Sequence, residues 1–106
     1  IRNNEVMHIK GDKMPIGIHI KGEEPFTNIT IELQPNDRLY TFSDGYVDQF
    51  GGSSNRKFMI KNLKELLLQI HQKPMIEQKE ILLNNLIEWQ GDGSRIDDII
   101  VMGVQI

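Results

Sequence analysis

The chemistry this sequence can offer is concentrated in two acidic sites. Ser43-Asp44-Gly45 interrupts the alternating run Tyr40-Thr41-Phe42, and so delivers a carboxylate to the exposed end of a strand. A glycine directly after the acid lets the chain turn sharply and lets a ligand approach the backbone. Asp97-Asp98 stands at the head of the last apolar run, Ile99 to Val104. Carboxylates suit hard divalent cations such as Mg2+ and Mn2+, which take oxygen ligands, keep several waters and need only one or two acids. The two sites lie 53 positions apart, so only a tertiary fold can bring them together.

Local pattern alone leaves other readings open. An Asp-Gly pair at a strand end also reads as an ordinary turn. Asp97-Asp98 also reads as a solvated approach to a strand, or as a guard against edge pairing. An EF-hand is excluded, because Gly45 and Asp48 do not follow the acid-x-acid-x-acid-Gly order. His8, His19 and His71 are scattered, with no partner at metal-ligand spacing, and read as structural or surface residues. For His71, at the end of an expected helix, a partly positive imidazole would suit the helix dipole. Ser43, Ser53 and Ser54 have no neighbouring general base and are not read as nucleophiles.

Composition narrows the function classes. The 106 residues suffice for one small unit, read here as a single domain spanning 1–106. Twelve basic against fifteen acidic residues give a net charge of −3, which is no electrostatic footprint for nucleic acid or an anionic membrane. The absence of cysteine excludes disulfides, thiolate metal sites and a thiol nucleophile. No apolar run is long enough to cross a bilayer and no signal peptide is visible, so a cytoplasmic setting is expected. Strand character at both Ile1 and Ile106 suggests a segment of a longer chain.

Elements must position the acids. Glu5 to Lys10 and Ile16 to Ile20 alternate as short strands, separated by the turn formers Gly11 to Gly17. Phe26 to Leu33 alternates again, and Gln34-Pro35-Asn36-Asp37 reads as a hairpin turn into the partner strand Arg38 to Ser43. Gly51 to Asn55 has the composition of a flexible loop, able to act as a flap beside a metal site. Leu63, Leu66, Leu67 and Ile70 mark one amphipathic helix. Pro74 separates it from a second helix, buried along Met75, Leu82, Leu86 and Trp89 and stopped near Gly91. Trp89 reads as a core or sheet-facing residue. The nearly continuous apolar run Ile99 to Val104 predicts a central strand buried on both faces. The fold class is α+β: antiparallel strands, two consecutive helices, then a final buried strand.

Five ordered segments resemble the SpoIIE-type branch of the PPM, or type 2C-like, metal-dependent serine/threonine phosphatases. Met14-Pro15-Ile16-Gly17 resembles that family's Pro-Leu-Gly segment, and Leu33 to Leu39 its Leu-x-Pro-Gly-Asp-x-Leu hairpin. Thr41-Phe42-Ser43-Asp44-Gly45 resembles its Asp-Gly metal motif, Phe58 to Leu63 its helix entry, and Asp97 to Val101 its closing Asp-Asp motif. The resemblance implies the C-terminal half of a β-sandwich flanked by helices. It implies that Asp44 and Asp97 are ligands of Mn2+ or Mg2+ in a binuclear centre, which activates water against phosphoserine or phosphothreonine. Asp98 and Asp48 would support them, and Gly45 would allow the close backbone approach. The implied substrate is a phosphoprotein regulator such as an anti-sigma-factor antagonist. The family's first metal segment has no counterpart in this sequence, so a partial domain without turnover of its own is expected. Half a sandwich would also expose apolar sheet surface and favour a homodimer or strand exchange. The alternative is a non-catalytic signalling or interaction module that keeps the scaffold.

Overall fold

The computed structural model describes residues 1–11 and 27–106. In order along the chain come β1 (Arg38–Phe42), α1 (Asp44–Val47), β2 (Phe50–Gly51), β3 (Arg56–Lys57), α2 (Ile60–Ile70), α3 (Met75–Gln90) and β4 (Val101–Gln105). The expected strand at Ile16 to Ile20 lies outside the described residues, as do His19 and Met14 to Gly17.

The two long helices follow the sequence pattern. In α2, Leu63, Leu67 and Ile70 are buried, at the i, i+4 and i+7 positions of one face. Pro74 stands as the N-cap of α3, where its missing N–H costs nothing, and Gly91 closes the helix at φ 55. Leu82 and Leu86 bury one side of α3, together with the polar Gln78. Gln78 is 2% exposed and fully bonded. Its Nε2 donates to the carbonyls of Lys73 (2.7 Å) and His71 (3.1 Å), and its Oε1 accepts the Tyr40 hydroxyl at 2.6 Å. One amide thus ties the α2–α3 connection to β1.

The core lies where these helices meet α1. Tyr46, Val47, Phe58, Leu63, Leu67, Ile70, Leu82 and Leu86 form it, with Tyr40, Phe42, Ile99 and Val101 packed alongside. Tyr46 meets Phe58 edge to face at 5.4 Å, and Phe58 meets Trp89 likewise at 5.5 Å. Such pairs add to the burial of large apolar area. The Tyr46 hydroxyl donates to the Leu82 carbonyl (2.7 Å) and accepts from Asn85 (3.0 Å), so its burial leaves no polar group orphaned.

Strand pairing differs from the expected hairpin. The partner of β1 is β4, antiparallel, in register from Arg38 opposite Gln105 to Phe42 opposite Val101. Residues 27–33 carry no strand, although the turn itself forms: Asp37 N–H donates to Gln34 O at 3.1 Å and Asn36 adopts φ 71. The hairpin reading favoured the partner nearest in sequence, but alternation states only that a strand needs a neighbour and does not say where along the chain it lies. Glu5 to Lys10 forms no strand either; an isolated Arg2–Glu5 bridge stands there instead.

The final strand is not buried on both faces. Within this two-stranded sheet, Met102 is 59% and Val104 45% exposed. One face, carrying Tyr40, Phe42 and Val101, packs on the core, while on the other Leu39 is half-buried and Thr41, Met102 and Val104 are exposed. Gly51 and Gly52 are likewise not a free loop. Gly51 ends β2 opposite Arg56 and Gly52 opens the turn to β3 against Trp89, its N–H donating to the Trp89 carbonyl at 3.0 Å. A Cβ at Gly51 would meet that carbonyl oxygen at 1.8 Å. The Trp89 indole N–H closes the contact on Gln49 O at 2.8 Å.

Candidate functional site

The corner after β1 is where the two acidic sites meet. Ser43 keeps an extended backbone (φ −81, ψ 165) and occupies the N-cap of α1, but its hydroxyl makes no capping bond. It turns instead to a segment 55 residues further on. Ser43 Oγ donates to Asp98 O at 3.0 Å and accepts the Ile100 N–H at 3.0 Å. The Ser43 N–H donates to Ile100 O at 2.9 Å, continuing the β1–β4 ladder beyond its last named pair.

Gly45 closes the same contact from the other side of Asp44. A Cβ built there would come within 2.1 Å of Asp98 O, 2.8 Å of Asp98 C and 2.9 Å of Ile99 Cγ1. The demand is for space, since Gly45 is not among the residues with positive φ. Asp44 therefore sits between two residues that both touch the 98–100 segment, and Asp97 immediately precedes that segment. The fold brings together what 53 positions separate.

Both acids face solvent. Asp44, Asp97 and Asp98 are all exposed. The Asp98 N–H donates to Asp97 Oδ1 at 2.8 Å, which fixes the Asp97 carboxylate against its own turn and leaves its second oxygen available. Asp48, half-buried at the end of α1, donates its N–H to Asp44 O at 2.9 Å. Its carboxylate pairs with Lys57 at 3.6 Å, which ties α1 to β3. Both side chains of that pair are partly exposed, so solvent screens it and its energetic weight is small.

The donor set at this corner is all oxygen. Asp44 and Asp97 offer carboxylate oxygens at an open corner with no Cβ at position 45, which suits hard cations that retain several waters. Among the described residues no group of three or more His, Asp or Glu gathers around a common point. These residues therefore fit one side of a Mg2+ or Mn2+ site, short of a closed cage.

The histidines lie elsewhere. His71 is the C-cap of α2 and is 5% exposed, with Nε2 3.0 Å from Asn4 Oδ1. Burial, then the nearby Arg38 and the amino terminus, lowers its pKa, so the partly positive imidazole expected at this helix end is not favoured. Burial also lowers the pKa of His8. Sequence reasoning weighed Ser43 only as a nucleophile and so missed its contact with Asp98 and Ile100. The available signal was a serine at a strand-to-helix junction, a position where hydroxyls bond backbone.

Comparison with known proteins agrees with this architecture. A profile of the Stage II sporulation protein E (SpoIIE) family matches residues 1–106. Among solved structures, the SiaA-PP2C domain of Pseudomonas aeruginosa superposes with a TM-score of 0.74 at 28% sequence identity. That similarity covers 79% of this chain and 34% of that one, so the chain spans about a third of that structure's length. Comparison with curated protein sequences gives no match. No helix among the described residues is long and apolar enough to cross a membrane. With its PP2C-like fold and its match along the whole length, the chain belongs to the SpoIIE family of PPM-type phosphatase domains.

Proposed function

We propose that this chain forms the C-terminal side of the active site of a metal-dependent protein serine/threonine phosphatase. The observation that carries the reading is the interlock of Ser43 and Gly45 with the backbone of Asp98, which sets Asp44 beside the Asp97 turn. A binding scaffold has no physical need to lock two segments that each carry an exposed carboxylate against one another in this way.

In this reading Asp44 and Asp97 hold Mn2+ or Mg2+. The chemistry such ions supply when bound is neutralisation of developing charge on the phosphoryl oxygens and a lowered pKa for attacking water. This chain's own residues provide position. The Asp98 N–H holds Asp97 Oδ1, and Gly45 lets α1 approach the Asp98 backbone. An Asp97 carboxylate held before the ions arrive needs less reorganisation during the reaction. The substrate proposed is phosphoserine or phosphothreonine on a small cytoplasmic regulator such as an anti-sigma-factor antagonist, in line with the family to which the chain belongs.

The test uses a polypeptide carrying the complete domain, with Mn2+ and either p-nitrophenyl phosphate or a phosphopeptide. Asp44→Ala and Asp97→Ala should each reduce metal-dependent turnover to background. Turnover unchanged by either substitution would overturn the assignment and favour the rival reading, an interaction module.

A further inference from the structure

We propose that Ser43 is a positioning residue for the carboxylate pair, acting through the Asp97-Asp98 turn rather than on substrate. This inference rests on the metal-site reading of Asp44 and Asp97. A serine at an N-cap ordinarily turns its hydroxyl back to the first turn of its own helix. Here that bond is absent, and the hydroxyl spans to the partner segment. It uses its single proton on Asp98 O and a lone pair on the Ile100 N–H, both at 3.0 Å.

The consequence is geometric. The Ser43 backbone already donates to Ile100 O, so the strand pairing is made without the hydroxyl. What the hydroxyl adds is a grip on the peptide units either side of Ile99, one of which directly follows the Asp97 turn. Asp97 then has its carboxylate fixed by the Asp98 N–H at 2.8 Å, while the Asp98 carbonyl is fixed by Ser43. Asp44 is the next residue after Ser43, so one side chain governs the spacing of both acids. Removal of the hydroxyl frees the turn to shift relative to Asp44 while the core beneath, Tyr46, Val47 and Leu82, stays packed.

Groups that orient metal ligands contribute about 10- to 100-fold in metal affinity when removed. Ser43→Ala and Ser43→Val should therefore weaken Mn2+ binding by about tenfold in the complete domain, read by the electron paramagnetic resonance signal of free Mn2+. Ser43→Thr keeps a hydroxyl and should restore affinity to within about twofold. Amide exchange at Ile100 should accelerate in the Ala and Val variants and recover in Thr.

Asp44→Asn is the control that separates metal binding from positioning. If it leaves Mn2+ affinity unchanged, the metal reading itself fails and the Ser43 proposal falls with it. If Asp44→Asn weakens binding but Ser43→Ala and Ser43→Val do not, only the positioning role is overturned. Loss of a cooperative unfolding transition in both of those variants would make Ser43 a purely structural residue, again overturning the proposal.

Discussion

The α-carbon of Gly45 lies so close to the Asp98 carbonyl that a Cβ added to it would stand 2.1 Å from the oxygen. The obstacle is backbone on both sides, so no side chain can swing away to relieve it. Gly45→Ala should therefore push α1 off the 98–100 segment, at a cost of about 1–3 kcal/mol, the usual range for overpacking. Gly11→Ala is the control, because a Cβ there meets nothing within 4 Å. Chemical denaturation of the two variants side by side checks the expectation. Equal stability would show that the corner tolerates a methyl group and is looser than its contacts indicate.

Gln78 offers a second test, of the joint between the helices and the sheet. Truncation to Ala removes the partner of the Lys73 carbonyl, the His71 carbonyl and the Tyr40 hydroxyl at once. Each buried group left unpaired costs about 1–3 kcal/mol. Partial access of water to Lys73 and Tyr40 offsets some of this, so the expected loss is about 2–4 kcal/mol. Urea unfolding should show it as a lower midpoint with an unchanged slope. A midpoint within experimental scatter of the parent would remove Gln78 from the joint.

Acid should weaken the fold in two separate windows. His71 has its pKa lowered by burial, and then by Arg38 from β1 and by the amino terminus. The unfolded chain therefore takes up that proton first, and stability falls as pH drops below the ordinary histidine value of about 6.5. Asp37 is held down to about 2 by its hydrogen bond from Arg2, and then by the Gln34 N–H. Its contribution is complete above the ordinary carboxylate value of 3.8 and is lost as pH falls toward about 2. Thermal melts between pH 7 and pH 2 should show both declines. His71→Gln should shrink the upper window, leaving the share of His8, whose pKa burial also lowers, and Asp37→Asn should abolish the lower; an upper window unchanged by His71→Gln would assign it to another group.

Helices α2 and α3 were legible because their information is local. Leu63, Leu67 and Ile70 repeat at helical spacing, and Pro74 and Gly91 act through their own φ angles. The turn at Gln34 to Asp37 was legible for the same reason, since Asn36 supplies the positive φ by itself. The two carboxylates could be picked out as residue types, and the resemblance of their surrounding segments pointed to a family that the comparisons bear out.

Which strand pairs with which was not legible. A β-strand satisfies its backbone outside itself, so its pattern declares that a partner is needed without saying where it lies. The turn at Gln34 to Asp37 pointed to residues 26–33 as the neighbour of β1, and Ile99 to Val104 read only as a strand without a named partner; the folded chain pairs β1 with that last run instead. That selection decided the site. Because β4 lies beside β1, Ser43 reaches Asp98 and Ile100, and Gly45 meets the Asp98 carbonyl. The sequence by itself determined that Asp44 and Asp97 are exposed acids at the ends of apolar runs. Only the tertiary structure decided that they share a corner, because that depends on hydrogen bonds and close packing between residues more than fifty positions apart.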